Sequence, residues 1–124
     1  SNGYIMGGSG GHSDVAQEAK MTIIVAPLLR TRYAVVKKHV KCISTPGDSV
    51  DILVTEYGIC VNPKREDLKQ RLTEAGLLVV DIHDLQKKAE KITGIPEEPE
   101  EKESRVVAEV MYRDGSIIDR IYQV

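Results

Sequence analysis

Short apolar runs recur along this sequence, and they constrain the fold more than any other feature. They cover residues 21–26 (MTIIVA), 50–55 (VDILVT) and 77–80 (LLVV), and the second is interrupted only by Asp51. Runs of this length, bounded by Pro or Gly, are typical of strands buried on both faces of a parallel sheet. Two further segments show helical spacing. Alternation of strands with helices predicts an α/β architecture, a layered sheet with flanking helices.

The helices are predicted from their end signals. Asn62 and Pro63 favour a helix start, with Asn as the cap and Pro at the first helical position, and Gly76 is placed to end that helix. Asp81 caps the next helix, which Gly94 ends. The apolar positions that share one face of this second helix are Ile82, Leu85, Ala89 and Ile92.

A shorter helix is expected earlier in the chain, and one further extended segment after it. Ser13 or Asp14 can cap a helix that runs to residue 19, since Asp14 and Gln17 have capping-box spacing. Residues 33–43 are expected to be extended, after a polar turn at residues 30–32.

The C-terminal part of the sequence predicts a β-hairpin. Asp114-Gly115 between two strand-like runs favours a two-residue type I′ turn. That register places Glu109 opposite Arg120 and Met111 opposite Ile118. The sequence therefore predicts four segments, which are a glycine-rich segment 1–12, an α/β domain 13–96, an acidic linker 97–103 and a hairpin 104–124.

Composition limits the class of protein. The chain has no Phe or Trp and a formal net charge of -2, so we expect an aliphatic core and no nucleic-acid partner. No apolar run reaches the roughly 20 residues that a membrane span needs, and no signal peptide is visible. Two cysteines, Cys42 and Cys60, are expected to be reduced core residues of a cytoplasmic protein and not part of a disulfide framework. No metal site is expected, because His39 and Cys42 would face opposite sides of a strand and His83 is distant in sequence.

The glycine-rich stretch at residues 7–14 (GGSGGHSD) is the first candidate functional feature. Glycines allow close approach of backbone to a ligand, and a following helix adds free N–H groups. The loop could therefore face an acyl or phosphate oxygen. His12 could donate a hydrogen bond or act as acid or base. A flexible glycine linker with a solvent-facing histidine is the alternative, and the motif fits neither a P-loop nor a dinucleotide fingerprint.

Glu56 is the second candidate, because it follows a predicted buried strand. The carboxyl ends of α/β strands are where such folds place ligands. Glu56 could therefore act as a general base or carboxylate nucleophile. The alternative is a carboxylate that caps N–H groups of its own turn.

In combination, these motifs resemble the citrate lyase alpha subunit family, the citrate CoA-transferase component of the bacterial citrate lyase complex. The likeness covers nearly the whole chain, in order and with compatible spacing. The matching segments are residues 10–14 (GGHSD), 19–20, 24–28 with Arg30 and Arg32, 45–47 (TPG), 50–56 (VDILVTE) with 58–59, 61–63 (VNP), 112–116 (YRDGS) and 118–119.

The resemblance implies a CoA-transferase-like fold of two related α/β halves, of which this chain would be the C-terminal part of the second half. It implies exchange of an acetyl group for citrate on an acyl carrier protein, giving citryl carrier protein and acetate. The beta subunit would then split the citryl thioester. The carrier, or gamma subunit, presents a CoA-like prosthetic group, so no cofactor is expected on this chain itself.

Site residues follow from the same resemblance. Residues contacting the thioester would be Gly10, Gly11, His12, Ser13 and Asp14, and the site wall would include Glu56, Tyr57, Gly58 and Asn62. The nucleophilic glutamate of related CoA-transferases lies upstream of the matching loop and therefore outside this chain. Two other readings remain open: a fragment of a different CoA-transferase or acyl-CoA hydrolase, and an assembly module that docks other subunits without touching substrate.

Overall fold

A computed structural model describes residues 10–40, 42–95 and 105–123. These residues form a mixed α/β structure, as the alternating pattern predicts. The helices are α1 (His12–Glu18), α2 (Glu66–Glu74) and α3 (Ile82–Thr93). The strands are β1 (Ile23–Val25), β2 (Leu29–Arg30), β3 (Tyr33–Ala34), β4 (Ile52–Thr55), β5 (Gly58–Val61), β6 (Val106–Met111) and β7 (Ile117–Tyr122). Gly7, Gly8 and the predicted linker 97–103 lie outside the described residues.

The main sheet has the order β1-β4-β5 and mixes strand directions. β1 runs parallel to β4, whereas β4 and β5 form an antiparallel hairpin. The prediction of a third buried strand at residues 77–80 is wrong. Only one bridge joins Val79 to Ile59, and Leu78 is 66% exposed. The contact is limited to Ile59, whose N–H bonds the carbonyl of Leu78 and whose carbonyl accepts the N–H of Val80, both at 2.9 Å.

The prediction that the first apolar run is buried on both faces is also wrong for the described part of the chain. Ile23 and Val25 in β1 are 51% and 77% exposed, whereas Ile24 between them is half-buried. The following extended segment is shorter than expected: β3 pairs only with β2, across a turn in which Thr31 has a positive φ of 61°.

The core is aliphatic and centres on α3. Leu85 and Ala89 are almost fully buried, at 2% and 0% exposure, and pack with Leu28 and Cys60. The helix begins as predicted, since the Asp81 carboxylate accepts the N–H of His83 at 2.7 Å. Its predicted apolar face is only partly covered, because Ile82 and Ile92 remain 45% and 52% exposed. No helix of the described segments is long and apolar enough to cross a membrane.

Two helix starts differ from the predictions. α1 is preceded by Gly11, and neither Ser13 nor Asp14 caps it, because both lie within its first turn. α2 begins at Glu66 instead of Pro63. Asn62 instead closes a turn: its Oδ1 accepts the N–H of Lys64 at 3.0 Å and its backbone carbonyl accepts the N–H of Arg65 at 2.8 Å.

The β6–β7 pair has Glu109 opposite Arg120, in agreement with the predicted register, but a shift nearer the turn places Met111 opposite Ile117. The prediction of a type I′ turn is wrong. Gly115 has a φ of 86°, whereas Asp114 is not in the positive region, and the N–H of Gly115 bonds the carbonyl of Tyr112 at 3.0 Å. These features describe a type I turn followed by a bulged glycine. Asp114 stabilises this turn by accepting the N–H of Ser116 at 2.8 Å.

Candidate functional site

The glycine-rich turn leads directly into α1. Gly10 has a φ of 52°, a conformation that glycine adopts without strain. The first backbone bond of the helix joins the N–H of Val15 to the carbonyl of Gly11 at 3.0 Å. The N–H groups of His12, Ser13 and Asp14 therefore precede the hydrogen-bonded ladder, as at the start of any helix. This turn places three backbone donors beside the glycines.

His12 contacts a loop that is distant in sequence. Its Nδ1 lies 3.1 Å from the hydroxyl oxygen of Thr45. The Thr45 loop is itself held in place, because the Asn62 side chain donates to the carbonyls of Gly47 and Val50 at 3.1 and 2.8 Å. Asn62 therefore acts on this region through the loop, as a structural clamp.

A cavity of about 280 Å³ opens between the glycine turn, the Thr45 loop and the β6–β7 hairpin. The residues that line it are Gly10, Ser13, Asp14, Ser44, Val110, Met111, Tyr112 and Arg113. Three segments separated by up to a hundred positions in sequence thus meet at one place. A small polar ligand group could enter this space, although the volume lies at the low end for ligand pockets, roughly 300–1,000 Å³.

Two polar contacts fasten the hairpin beside this cavity. Arg113 lies 3.8 Å from the Glu18 carboxylate at the end of α1. The Asp119 carboxylate accepts the N–H of Ile43, which precedes the Thr45 loop. Both pairs are exposed, so each contributes little stability alone. Together they link the hairpin to the other two walls.

Four carboxylates act on the hydroxyl of Tyr112 in this region. Partial burial raises the pKa of the Tyr112 hydroxyl, and the nearby carboxylates of Asp48, Asp14, Asp114 and Glu18 raise it further. Tyr112 thus stays protonated and can donate a hydrogen bond. Because Asp14 and Arg113 both line the cavity, it offers charges of both signs beside this donor.

Glu56 does not line this cavity, and its carboxylate is engaged elsewhere. Its Oε1 and Oε2 lie 3.2 and 2.9 Å from the backbone nitrogen of Leu28. The alternative prediction for Glu56 is a carboxylate that caps backbone N–H groups of its own turn. The carboxylate does accept a backbone N–H, but that N–H belongs to Leu28, in the segment after β1.

The two residues that follow Glu56 also have structural roles. Tyr57 packs beneath the ammonium group of Lys88, 4.1 Å from the ring centre. At Gly58, an added Cβ would lie 2.7 Å from a methyl carbon of Val80. These contacts bind the β4–β5 turn to α3 and to the residues before it. The sequence-predicted site residues therefore lie in different places. Gly10, Ser13 and Asp14 line the cavity, Gly11 and His12 are in the same turn without lining it, Asn62 holds the Thr45 loop, and Glu56, Tyr57 and Gly58 lie at the β4–β5 turn.

Ser44, Thr45, Tyr112 and Arg113 were not predicted as site residues. Thr45, Tyr112 and Arg113 belong to segments that carry the family resemblance, and that is the only signal that marked them. Their approach to the glycine turn depends on long-range packing. Within the described segments, no three His, Cys, Asp or Glu residues are grouped to hold a metal ion.

Comparison with known proteins gives one consistent result. The family described as "Citrate lyase, alpha subunit" matches residues 1–124. Citrate lyase alpha chains from Klebsiella pneumoniae and Escherichia coli are 54% and 52% identical over the whole of this chain. The chain spans 24% of the length of each.

A solved structure agrees. A crystal structure described as the alpha subunit of citrate lyase from Streptococcus mutans, in complex with citrate, superposes with a TM-score of 0.89 and 41% identity. It covers 99% of this chain, which corresponds to 24% of the solved chain.

Proposed function

Because this chain belongs to the citrate lyase alpha subunit family, we propose that it forms one wall of an acyl-thioester exchange site within a longer alpha chain. The reaction would exchange acetyl for citryl on an acyl carrier protein and release acetate. The acetyl–sulfur bond breaks and a citryl–sulfur bond forms, and one carboxylate oxygen of citrate passes to the acetyl carbon to give acetate, so the exchange balances without an oxidant or metal. The beta subunit would act on the citryl product.

The observation that carries this proposal is the meeting of three segments at one cavity. Gly10, Ser13 and Asp14 of the first segment, Ser44 of the second and residues 110–113 of the third line it, and the His12–Thr45 contact joins the first two segments beside it. A glycine segment that served only as a flexible linker would need no contacts with segments that are remote in sequence. The same three places include motifs by which the chain resembles its family.

The part of the ligand that fits is the thioester end of the prosthetic group on the carrier. The cavity of about 280 Å³ is too small for the whole of a CoA-like molecule. When bound, the carrier's group would supply the thioester sulfur. The chain's own contribution would be backbone donors at residues 12–14 and the hydroxyl of Tyr112, which orient the acyl oxygen and exclude water.

Exchange activity of the full-length alpha chain tests this proposal. An added Cβ at Gly11 meets no atom within 4 Å, so Gly11→Val should leave the fold intact while placing a side chain beside the backbone donors of residues 12–14. Gly76→Ala is the control for a glycine substitution remote from the cavity, because Gly76 also faces open space, and its positive φ of 76° makes it the more strained of the two changes. We expect incorporation of labelled citrate into the carrier to fall at least tenfold in Gly11→Val and to persist in Gly76→Ala.

The same variants address the two alternatives. An assembly module would lose binding to the beta and gamma subunits in Gly11→Val, whereas an exchange site would lose turnover with assembly intact. A different CoA-transferase would prefer short monocarboxylic acids over citrate in an acceptor series. The Streptococcus mutans structure holds citrate, and this favours the citrate-dependent reading.

Three further features belong to the proposal. We place the chain in the C-terminal part of a CoA-transferase-like second half, with the nucleophilic glutamate in the remainder of the alpha subunit. We expect no covalently bound cofactor on this chain, since the CoA-like group belongs to the carrier. We place the enzyme in the cytoplasm, where citrate fermentation would operate.

A further inference from the structure

The outer edge of β1 presents backbone groups that no described residue pairs. β4 is its neighbour on one side, and β1 is the end strand of the sheet order. The carbonyl of Thr22 and the N–H of Ala26 point toward β4, where they bond Asp51 and Val54 at 3.0 Å. Because direction alternates along a strand, the N–H and C=O groups of Ile23 and Val25 point away from β4.

The side chains of β1 are equally unprotected within the described part of the chain. Ile23 and Val25 share one face and are 51% and 77% exposed. Native edge strands are usually shielded by lysine, proline or a bulge, and the residues of β1 (IIV) include none of these. An apolar edge with free backbone groups is a pairing site for another strand.

The length of the relatives identifies the occupant. This chain spans 24% of the curated alpha chains and 24% of the solved one. About three quarters of such a protein is therefore available to cover this edge. A parallel pair such as β1–β4 normally has protein on both faces.

We propose that a β-strand from the remaining part of the same alpha chain pairs along the outer edge of β1, with its own layer packed over Ile23 and Val25. This inference rests on the proposed function only in assuming that the chain is part of a longer alpha chain. A second copy of the chain is the competing occupant, and the test separates the two.

Amide hydrogen exchange in the full-length alpha chain measures the pairing directly. The amides of Ile24 and Ala26 face β4 and serve as protected references. We expect the amides of Ile23 and Val25 to exchange at least about 100-fold more slowly than unprotected amides, close to the references. Exchange near the unprotected rate would overturn the proposal. Protection that disappears on dilution to a monomer would also overturn it, because it would identify a second copy as the occupant.

Three variants of the full-length chain give an independent measurement. Val25→Pro removes the outward N–H, Val25→Thr keeps it with a similar shape, and Ile24→Pro breaks a bond to β4 in any case. We expect Val25→Pro to lower Tm nearly as much as Ile24→Pro and clearly more than Val25→Thr, whose hydroxyl would be buried beneath the covering layer. A Val25→Pro variant as stable as Val25→Thr would contradict a paired edge, since proline is tolerated on free edges.

Failure of this inference is distinguishable from failure of the proposed function. Amide exchange at β1 requires neither citrate nor carrier. An inactive protein with protected Ile23 and Val25 amides would contradict the exchange site alone. An active protein with rapidly exchanging amides at these positions would contradict the covered edge alone.

Discussion

The carboxylate of Glu56 accepts the backbone N–H of Leu28, with its two oxygens 3.2 and 2.9 Å from that nitrogen. Leu28 is fully buried, at 0% exposure, so its N–H needs a partner within the protein. Glu56 therefore holds the chain that leaves β1 against the end of β4. This contact accounts for a glutamate at a strand end without assigning it a part in the chemistry.

Substitution of Glu56 should affect stability more than turnover. Glu56→Ala leaves the Leu28 N–H unpaired, and we expect a loss of about 1–3 kcal/mol in the free energy of unfolding. Glu56→Gln keeps an oxygen acceptor and should recover most of that loss. Urea unfolding and acyl exchange per folded molecule measure the two effects. If Glu56→Gln were stable yet inactive, the carboxylate would have a chemical role after all.

Gly58 should be intolerant of any side chain. Its φ is 139°, and an added Cβ would lie 2.7 Å from Cγ2 of Val80 and 3.2 Å from the carbonyl oxygen of Leu78. We expect Gly58→Ala to cost about 3 kcal/mol, from backbone strain and overpacking together. Gly76→Ala, which has a positive φ but open space, should cost about 1 kcal/mol.

The steric part of the Gly58 effect can be isolated with a second substitution. Val80→Ala removes the methyl groups that the new Cβ would meet. The double variant Gly58→Ala/Val80→Ala should therefore lose less stability than the sum of the two single variants. Strict additivity in thermal unfolding would show that strain in the backbone is the whole cause.

The two cysteines should differ strongly in reactivity. Cys60 is buried, as expected of a core residue, whereas the same prediction is wrong for Cys42, which is exposed. Burial, and to a lesser degree the charge of Asp81, raises the pKa of the Cys60 thiol from 9.0 to about 11. A disulfide-exchange reagent at pH 8 should therefore modify one thiol in the native protein and two after denaturation. Cys42→Ser should abolish the rapid native reaction, and fast labelling of Cys60 in that variant would be inconsistent with this packing.

The same pKa predicts a pH dependence of stability. The unfolded thiol ionises near 9, whereas the folded thiol stays neutral until about 11. Its contribution is therefore complete below pH 9 and is lost as pH rises toward 11. Cys60→Ala should flatten that part of a stability profile measured between pH 8 and 11. An unchanged slope would assign the effect to other groups.

Local signals in the sequence predicted local structure well. Asp81 caps α3 and Gly76 follows α2 with a positive φ of 76°, because a cap and a left-handed residue depend only on near neighbours. The signals failed where longer-range packing decides. Asn62 is expected to cap a helix, and its Oδ1 does accept the N–H of Lys64, but residues 62–65 form a turn and α2 begins at Glu66, while the Asn62 amide also holds a distant loop.

The candidate site likewise combines features that the sequence shows with contacts that only the folded chain shows. The glycine turn is visible in the sequence, but its contact with Thr45 and its position beside Tyr112 are products of the folded chain. Glu56 follows an apolar run, which made it a candidate for chemistry. Only its contact with Leu28 shows a structural role. β1 was expected to be buried because its composition is that of an inner strand, and most of the protein that would cover it lies outside this chain.

Acyl exchange by a Tyr112 variant tests the central claim most directly. Tyr112 lines the cavity, whereas Tyr33 is an exposed residue of β3 that does not line it and provides the matched control. In the full-length alpha chain, we expect Tyr112→Phe, which removes only the donating hydroxyl, to slow citrate-dependent release of acetate from acetyl carrier protein at least about tenfold. Tyr33→Phe should stay within about twofold of the parent. Equal rates for both variants, with both folded and assembled, would contradict an exchange site at this cavity.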